Sequence, residues 1–271
     1  MKDRHNLLGK PFLVMGIVNV TSDSFYDGGR YISPEAALEH ALRLKEEGAD
    51  VIDIGGSSSR PGAKLLDSRE EIYRVIPVVK ELVKRVGIPI SVDTTWSSTA
   101  RVALDAGVTW INDISAGRLD RLMASIAGYS GCTVVLTHSR NTPETMQNEP
   151  VYENVVAEVA SELTAAIEQF KDTGVSERKI IIDPGFGFAK TSEHNIALLN
   201  SLDRIARLGF PLMVGTSRKS FIGKITGRPV DERLYGTLAT IASAYSKGAR
   251  IFRVHDVKET VDFLKVFTAV K

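Results

Sequence analysis

Three acceptor-rich side chains follow short apolar runs in this sequence: Asp93 after Pro89–Val92, Asn112 at the end of Trp110–Asn112, and Asp183 after Lys179–Ile182. An ionised carboxylate accepts two hydrogen bonds from a guanidine-like edge, and an amide supplies both a donor and an acceptor, so together they suit a flat heterocycle with several N–H groups. Taken singly, each Asp has a plainer reading as a helix N-cap, Asp93 ahead of Ser97 and Asp183 ahead of Pro184. A second set is basic: Arg60, Lys219, Arg253 and His255, with Asn19 as a hard oxygen donor. Guanidinium groups grip phosphate oxygens in bidentate fashion, and Mg2+ keeps waters while taking one or two protein oxygens plus phosphate, so this set points to a diphosphate. For an isolated Arg or Lys the plain reading is a solvated surface charge, and His255 beside Asp256 also reads as a structural histidine. Phe25 and Phe188 lie in glycine-bearing segments, where they read as ring contacts for a ligand; Trp96 reads equally as packing.

The elements that must position these groups alternate without a break. Apolar runs read as strands at Phe12–Val18, Val51–Ile54, Pro89–Val92, Trp110–Asn112, Thr133–Thr137, Lys179–Ile182, Pro211–Gly215 and Arg250–Arg253. Helical patterns lie between them at Pro34–Glu47, Ser68–Arg85, Ser97–Ala106, Leu119–Ala127, Val151–Thr173, Ser192–Leu208, Asp231–Lys247 and Val257–Val270. Ser33 before Pro34 reads as an N-cap, and Gly48, Gly107, Gly174, Gly209 and Gly248 read as C′ glycines. Runs such as Ile180-Ile181-Ile182 are apolar without alternation, as parallel strands covered on both faces require. Eight such units predict an α/β fold of the (β/α)8 TIM-barrel type, one domain over residues 1–271, with an open eight-stranded sheet as the alternative. In either arrangement ligands meet the strands' C-terminal ends, where the residues singled out above lie.

Composition narrows the classes. Of 271 residues, 43% are hydrophobic and 25% charged, which allows a large core and argues against disorder. The 34 basic and 33 acidic residues nearly cancel, so no overall field attracts nucleic acid or an anionic membrane. Any anion must be caught locally. A single cysteine, Cys132, excludes an intrachain disulfide and a multi-cysteine metal site; with no apolar signal core behind Met1, a cytoplasmic location is expected. Gly185–Thr191 resembles part of a phosphate loop, but Ala189 stands where the glycine before the lysine belongs. No HExxH or GxGxxG with a suitably placed acid is present.

The segments MGIVNVTSDSFYDGG, DIGGSSSRPGA, SVDT, INDIS, TPETMQ, IIDPGFGFAKT, VGTSRKSFIG and RVHDV resemble, in order and spacing, those of the dihydropteroate synthases, from Met15 to Val257. The resemblance implies a (β/α)8 barrel, a homodimer, and condensation of 6-hydroxymethyl-7,8-dihydropterin diphosphate with p-aminobenzoate, with Mg2+ as cofactor and pyrophosphate released. It implies pterin contacts at Asp93, Asn112, Ile114, Asp183, Gly215, Lys219 and Arg253. Diphosphate and metal would fall to Asn19, Arg60, Arg253 and His255, with Asn19 on the metal. p-Aminobenzoate would lie near Phe25, Ser59, Pro61, Phe188, Lys219 and Ser220, and the catalytic set would be Asn19, Asp93, Asp183, Lys219 and Arg253. The chain departs from the family pattern at Ser57 and Ser59, where GGESTRPG is usual, at Ser22, at Thr95-Trp96 and at Ser139 and Asn141. Those departures fall in loops around the p-aminobenzoate position, leaving second-substrate affinity and sulfonamide response open. Two other functions fit part of the pattern: a pterin-binding methyltransferase domain, which has no use for the basic set, and a non-catalytic pterin binder.

Overall fold

The computed structural model describes residues 9–20, 34–57, 62–142, 144–145 and 150–270. Eight strands, β1 (Leu13–Asn19), β2 (Val51–Gly55), β3 (Ile90–Asp93), β4 (Trp110–Asp113), β5 (Thr133–Thr137), β6 (Ile180–Asp183), β7 (Met213–Val214) and β8 (Ile251–Val254), form one parallel sheet in the order β6-β5-β4-β3-β2-β1-β8-β7. The two ends of that order meet: Ile182 bridges Leu212, and its N–H donates to the Pro211 carbonyl at 2.9 Å. The sheet is therefore a barrel, and the open-sheet alternative is excluded.

The helices are α1 (Pro34–Glu46), α2 (Ser68–Arg85), α3 (Ser97–Asp105), α4 (Leu122–Ser130), α5 (Val155–Asp172), α6 (Ser192–Asn200), α7 (Leu202–Ala206), α8 (Ser220–Thr226), α9 (Leu234–Ser246) and α10 (Val257–Ala269). Two of the boundary differences from the sequence reading trace to side chains that take helix N–H groups. α4 starts three residues later than expected because Asp120 takes the Leu122 N–H at 3.0 Å and, through its other oxygen, the Ser97 N–H at 2.8 Å. α5 starts at Val155 because Asn154 caps it, accepting from the Ala157 N–H. The Ser192–Leu208 segment breaks at Ser201 into α6 and α7, and α9 starts at Leu234 behind a 3-10 turn, Val230–Glu232. α8 was not expected. All five predicted C′ glycines have positive φ, while Ser33 lies outside the described residues.

Strand parity sorts the interior into layers, since side chains two residues apart share a face. Outward-facing Val14, Ile52, Ile54, Ile111, Val134, Ile182 and Phe252 pack against helix residues such as Ala41, Leu44, Val79, Leu82, Leu163 and Leu264 in the main core. Inward-facing Leu13, Met15, Val51, Trp110, Val135, Ile181, Met213 and Ile251 fill the barrel as a separate apolar plug. Two residues further along the strands the inward positions turn polar: Asp53, Asp93, Asn112, Thr137, Asp183 and Arg253. The plug is thus the floor on which those groups stand. No helix of the described residues is long and apolar enough to cross a membrane.

Candidate active site

Arg253 of β8 stands at the centre of the polar layer. Its Nε donates to Asp53 Oδ2 at 2.6 Å and its Nη2 to Asp93 Oδ2 at 2.7 Å. Asn112 Nδ2 donates to the same Asp53 oxygen at 3.0 Å. Asp183 points inward from β6, its Oδ1 accepting the Gly185 N–H at 2.7 Å. A Cβ at Gly215 would lie 3.9 Å from both Asp183 Oδ2 and Arg253 Cβ, so the missing side chain leaves space between those two residues. Acidic and basic groups thus share one mouth, with Lys219 at its edge: the Lys219 ammonium sits 4.2 Å from the centre of the Phe188 ring. Ile114, Phe188 and Ala189 form a small apolar cluster of their own.

Burial shapes the charges. Asp93 is pushed up to about 7 by desolvation, which Arg253 only partly offsets. Asp183 is pushed up to about 6 by desolvation against the Gly185 N–H and the Lys219 charge. Burial pulls Lys219 down to about 8, with Arg253 adding to the effect. Burial alone would weaken the Arg253 cation too, but Asp53 and Asp93 outweigh it and hold the guanidinium more firmly charged than usual.

His255 differs from the sequence reading, which grouped it with the cations. Burial, followed by the nearby Arg253 and Arg218 charges, holds it down to about 3, so it is neutral at neutral pH. Ser217 Oγ accepts the His255 backbone N–H at 3.2 Å and lies within hydrogen-bond reach of the ring Nδ1, 3.0 Å away. The imidazole is thus a neutral hydrogen-bonding group rather than a cation. Asn19, half-buried at the end of β1, pairs in register with Gly55, and Ser220 is exposed as the first residue of α8. Phe25, Ser59, Arg60 and Pro61 lie outside the described residues. The N-cap readings of Asp93 and Asp183 do not hold: Asp120 takes the Ser97 N–H, and Asp183 binds the Gly185 turn well before α6.

Sequence reasoning missed Asp53, the fully buried partner of both Arg253 and Asn112. It also missed Glu71, buried on α2, which accepts the Thr94 hydroxyl one residue past Asp93 and is pushed up to about 6 by burial. Asp53 did carry a signal, as a charge inside an otherwise apolar run; Glu71 sits in an ordinary acidic helix start and carried none.

A polar mouth over an apolar plug, with buried hydrogen-bond acceptors beside a guanidinium, defines a ligand-binding (β/α)8 barrel. Residues 15–255 match the family described as Pterin binding enzyme. Dihydropteroate synthase of Synechocystis sp. is 45% identical over 263 residues, covering 97% of this chain and 91% of that protein. Among solved structures, Xanthomonas albilineans dihydropteroate synthase with 4-aminobenzoic acid superposes with a TM-score of 0.90 at 45% identity, over 96% of this chain and 93% of that one. The same enzyme in complex with 7,8-dihydropteroate gives 0.86 at 42% identity, over 96% and 94%. The chain belongs to the dihydropteroate synthase family, whose members are transferases.

Proposed function

We propose that this chain condenses 6-hydroxymethyl-7,8-dihydropterin diphosphate with p-aminobenzoate to give 7,8-dihydropteroate and pyrophosphate, a step of folate biosynthesis. The observation that carries the reading is the convergence of Asp93, Asn112 and Asp183 on the mouth that also holds Arg253 and Lys219. Asp93, Asn112 and Asp183 accept and donate along the pterin edge, with Ile114 and Gly215 bordering the ring. Arg253 serves both the ring and the diphosphate, and His255 faces the diphosphate as a neutral imidazole. Phe188, Lys219 and Ser220 face the p-aminobenzoate. Holding a ring with anionic acceptors supports the positive charge that develops at its exocyclic methylene as the C–O bond to diphosphate breaks and the electron pair leaves with the diphosphate. The aniline nitrogen then forms the C–N bond and its proton passes to solvent. Positioning and electrostatics suffice, because diphosphate is a good leaving group.

The donor chemistry fits Mg2+. Asn19 offers one hard oxygen, and the described residues contain no group of three or more His, Cys, Asp or Glu that would form an all-protein cage; Mg2+ beside a diphosphate takes few protein oxygens. Bound there, it supplies positive charge to the departing oxygens. We read the chain further as a cytoplasmic homodimer.

Purified protein given both substrates and Mg2+ should release pyrophosphate and form dihydropteroate in equal amounts. Arg253→Ala should lower kcat/KM by roughly a hundred-fold or more. Binding of the pterin diphosphate with no pyrophosphate release in the presence of p-aminobenzoate would overturn the reading.

A further inference from the structure

Lys190 ends the turn after β6 and takes no part in the reaction above, yet it is buried at 3% exposure, deeper than any other lysine of the described residues. Its ammonium donates to the Phe188 carbonyl and to His138 Nδ1, both at 2.9 Å. His138, just past β5, is 4% exposed, and its Nε2 lies 3.0 Å from Glu162 Oε2 on α5. Burial pulls Lys190 down to about 7 and His138 down to about 4; while the lysine is charged it only donates and the carboxylate only accepts, so the neutral imidazole between them carries its proton on Nε2. Arg140 anchors the far end, binding Glu162, Glu158 and the Val151 carbonyl. A chain of directed contacts therefore runs from α5 through the β5 rim and stops on the backbone of Phe188.

The turn itself is already braced. Asn195 Oδ1 accepts the Gly187 N–H at 2.7 Å, and Asn195 Nδ2 donates to the Thr191 carbonyl at 2.6 Å. Burying an ammonium merely to hold a turn is expensive when neutral groups do the same. What Lys190 adds is a fixed orientation for the peptide that carries the Phe188 ring, against which the Lys219 ammonium rests.

We propose that Lys190 is a positioning residue for the p-aminobenzoate half of the site, acting through the Phe188 carbonyl and held in place by His138 and Glu162. The inference rests on the reading of Phe188 as an aryl contact. Its effect on the pterin half is small, because its direct contacts are the Phe188 carbonyl and His138, neither of them read as a pterin contact.

The test is the full steady-state analysis of Lys190→Met, which keeps the stem and removes the donors. KM for p-aminobenzoate should rise roughly ten-fold or more, as displacement of a substrate-positioning group does, while KM for the pterin diphosphate and its calorimetric Kd without p-aminobenzoate stay near wild type. His138→Leu, which removes the acceptor, should show the same split, and it decides the matter if Lys190→Met does not fold. An unchanged KM for p-aminobenzoate, or equal rises for both substrates, overturns the proposal. Those outcomes leave wild-type turnover intact, whereas a wild-type protein that makes no dihydropteroate removes the functional reading itself.

Discussion

Asp93 and Asp183 accept N–H donors through both carboxyl oxygens, and stabilise positive charge on a ring, only when ionised, and burial makes both harder to ionise, at about 7 and about 6. Lys219, brought down to about 8 chiefly by burial, loses its charge earlier than a surface lysine. The kcat/KM for the pterin diphosphate should therefore climb as pH passes about 6 to 7, level off, and decline above about 8; this parameter reports the free enzyme's groups. Initial rates across the neutral range check it, and Asp183→Asn should erase the lower acid step. A profile flat between 6 and 7 would place the essential ionisations elsewhere. Asp93, Asn112 and Asp183 were legible in the sequence because each polar group closes an apolar run. Asp53 showed only as a charge inside an apolar run, and its place inside β2 acquires meaning only when the barrel fixes which strand face looks inward. The neutrality of His255 was equally hidden, since the sequence shows a histidine near arginines but not that burial and the Arg253 and Arg218 charges keep it unprotonated.

Eight strands were legible because apolar runs and helical patterns alternate along the chain; what escaped were short helices and breaks inside helical patterns. α8 spans only seven residues, too few for a helical period to emerge, and the break at Ser201 has no proline or glycine to announce it. The turns that carry the site are tighter than composition can show. Gly185 has φ +69° and a Cβ there would meet the His138 carbonyl oxygen at 1.9 Å, so the β5 and β6 rims touch through backbone. Gly174, at φ +94°, faces nothing within 4 Å. Gly174→Ala should cost about 1 kcal/mol from its backbone conformation alone, whereas Gly185→Ala adds a clash that only a backbone shift relieves and should cost about 3 kcal/mol or more. Because that turn bears both Asp183 and Phe188, the second variant should also weaken both substrates. Urea titration of the pair measures the difference, and equal losses would mean that the two rims are not in backbone contact.

At the scale of the whole molecule, the helix–sheet core and the barrel plug hold the fold while the polar layer above the plug works against it. Asp183 shows the sign. Its folded pKa of about 6 lies above the ordinary 3.8, so its contribution to stability is fully present below 3.8 and is lost as pH rises through about 6. At neutral pH the ionised side chain is held at a cost on the order of 3 kcal/mol, which the apolar cores absorb. Asp183→Asn keeps an acceptor for the Gly185 N–H and removes the buried charge, so at neutral pH the variant should melt higher than wild type, by about 2–4 °C per kcal/mol recovered. With pterin diphosphate near a hundred times its Kd, wild type gains about 2.7 kcal/mol that a variant unable to bind does not. Thermal scans with and without that ligand should therefore cross: the variant more stable alone, wild type more stable when loaded. A variant that melts lower than wild type without ligand would show that the carboxylate supports the fold, and that the cost assigned here to the binding site is not there.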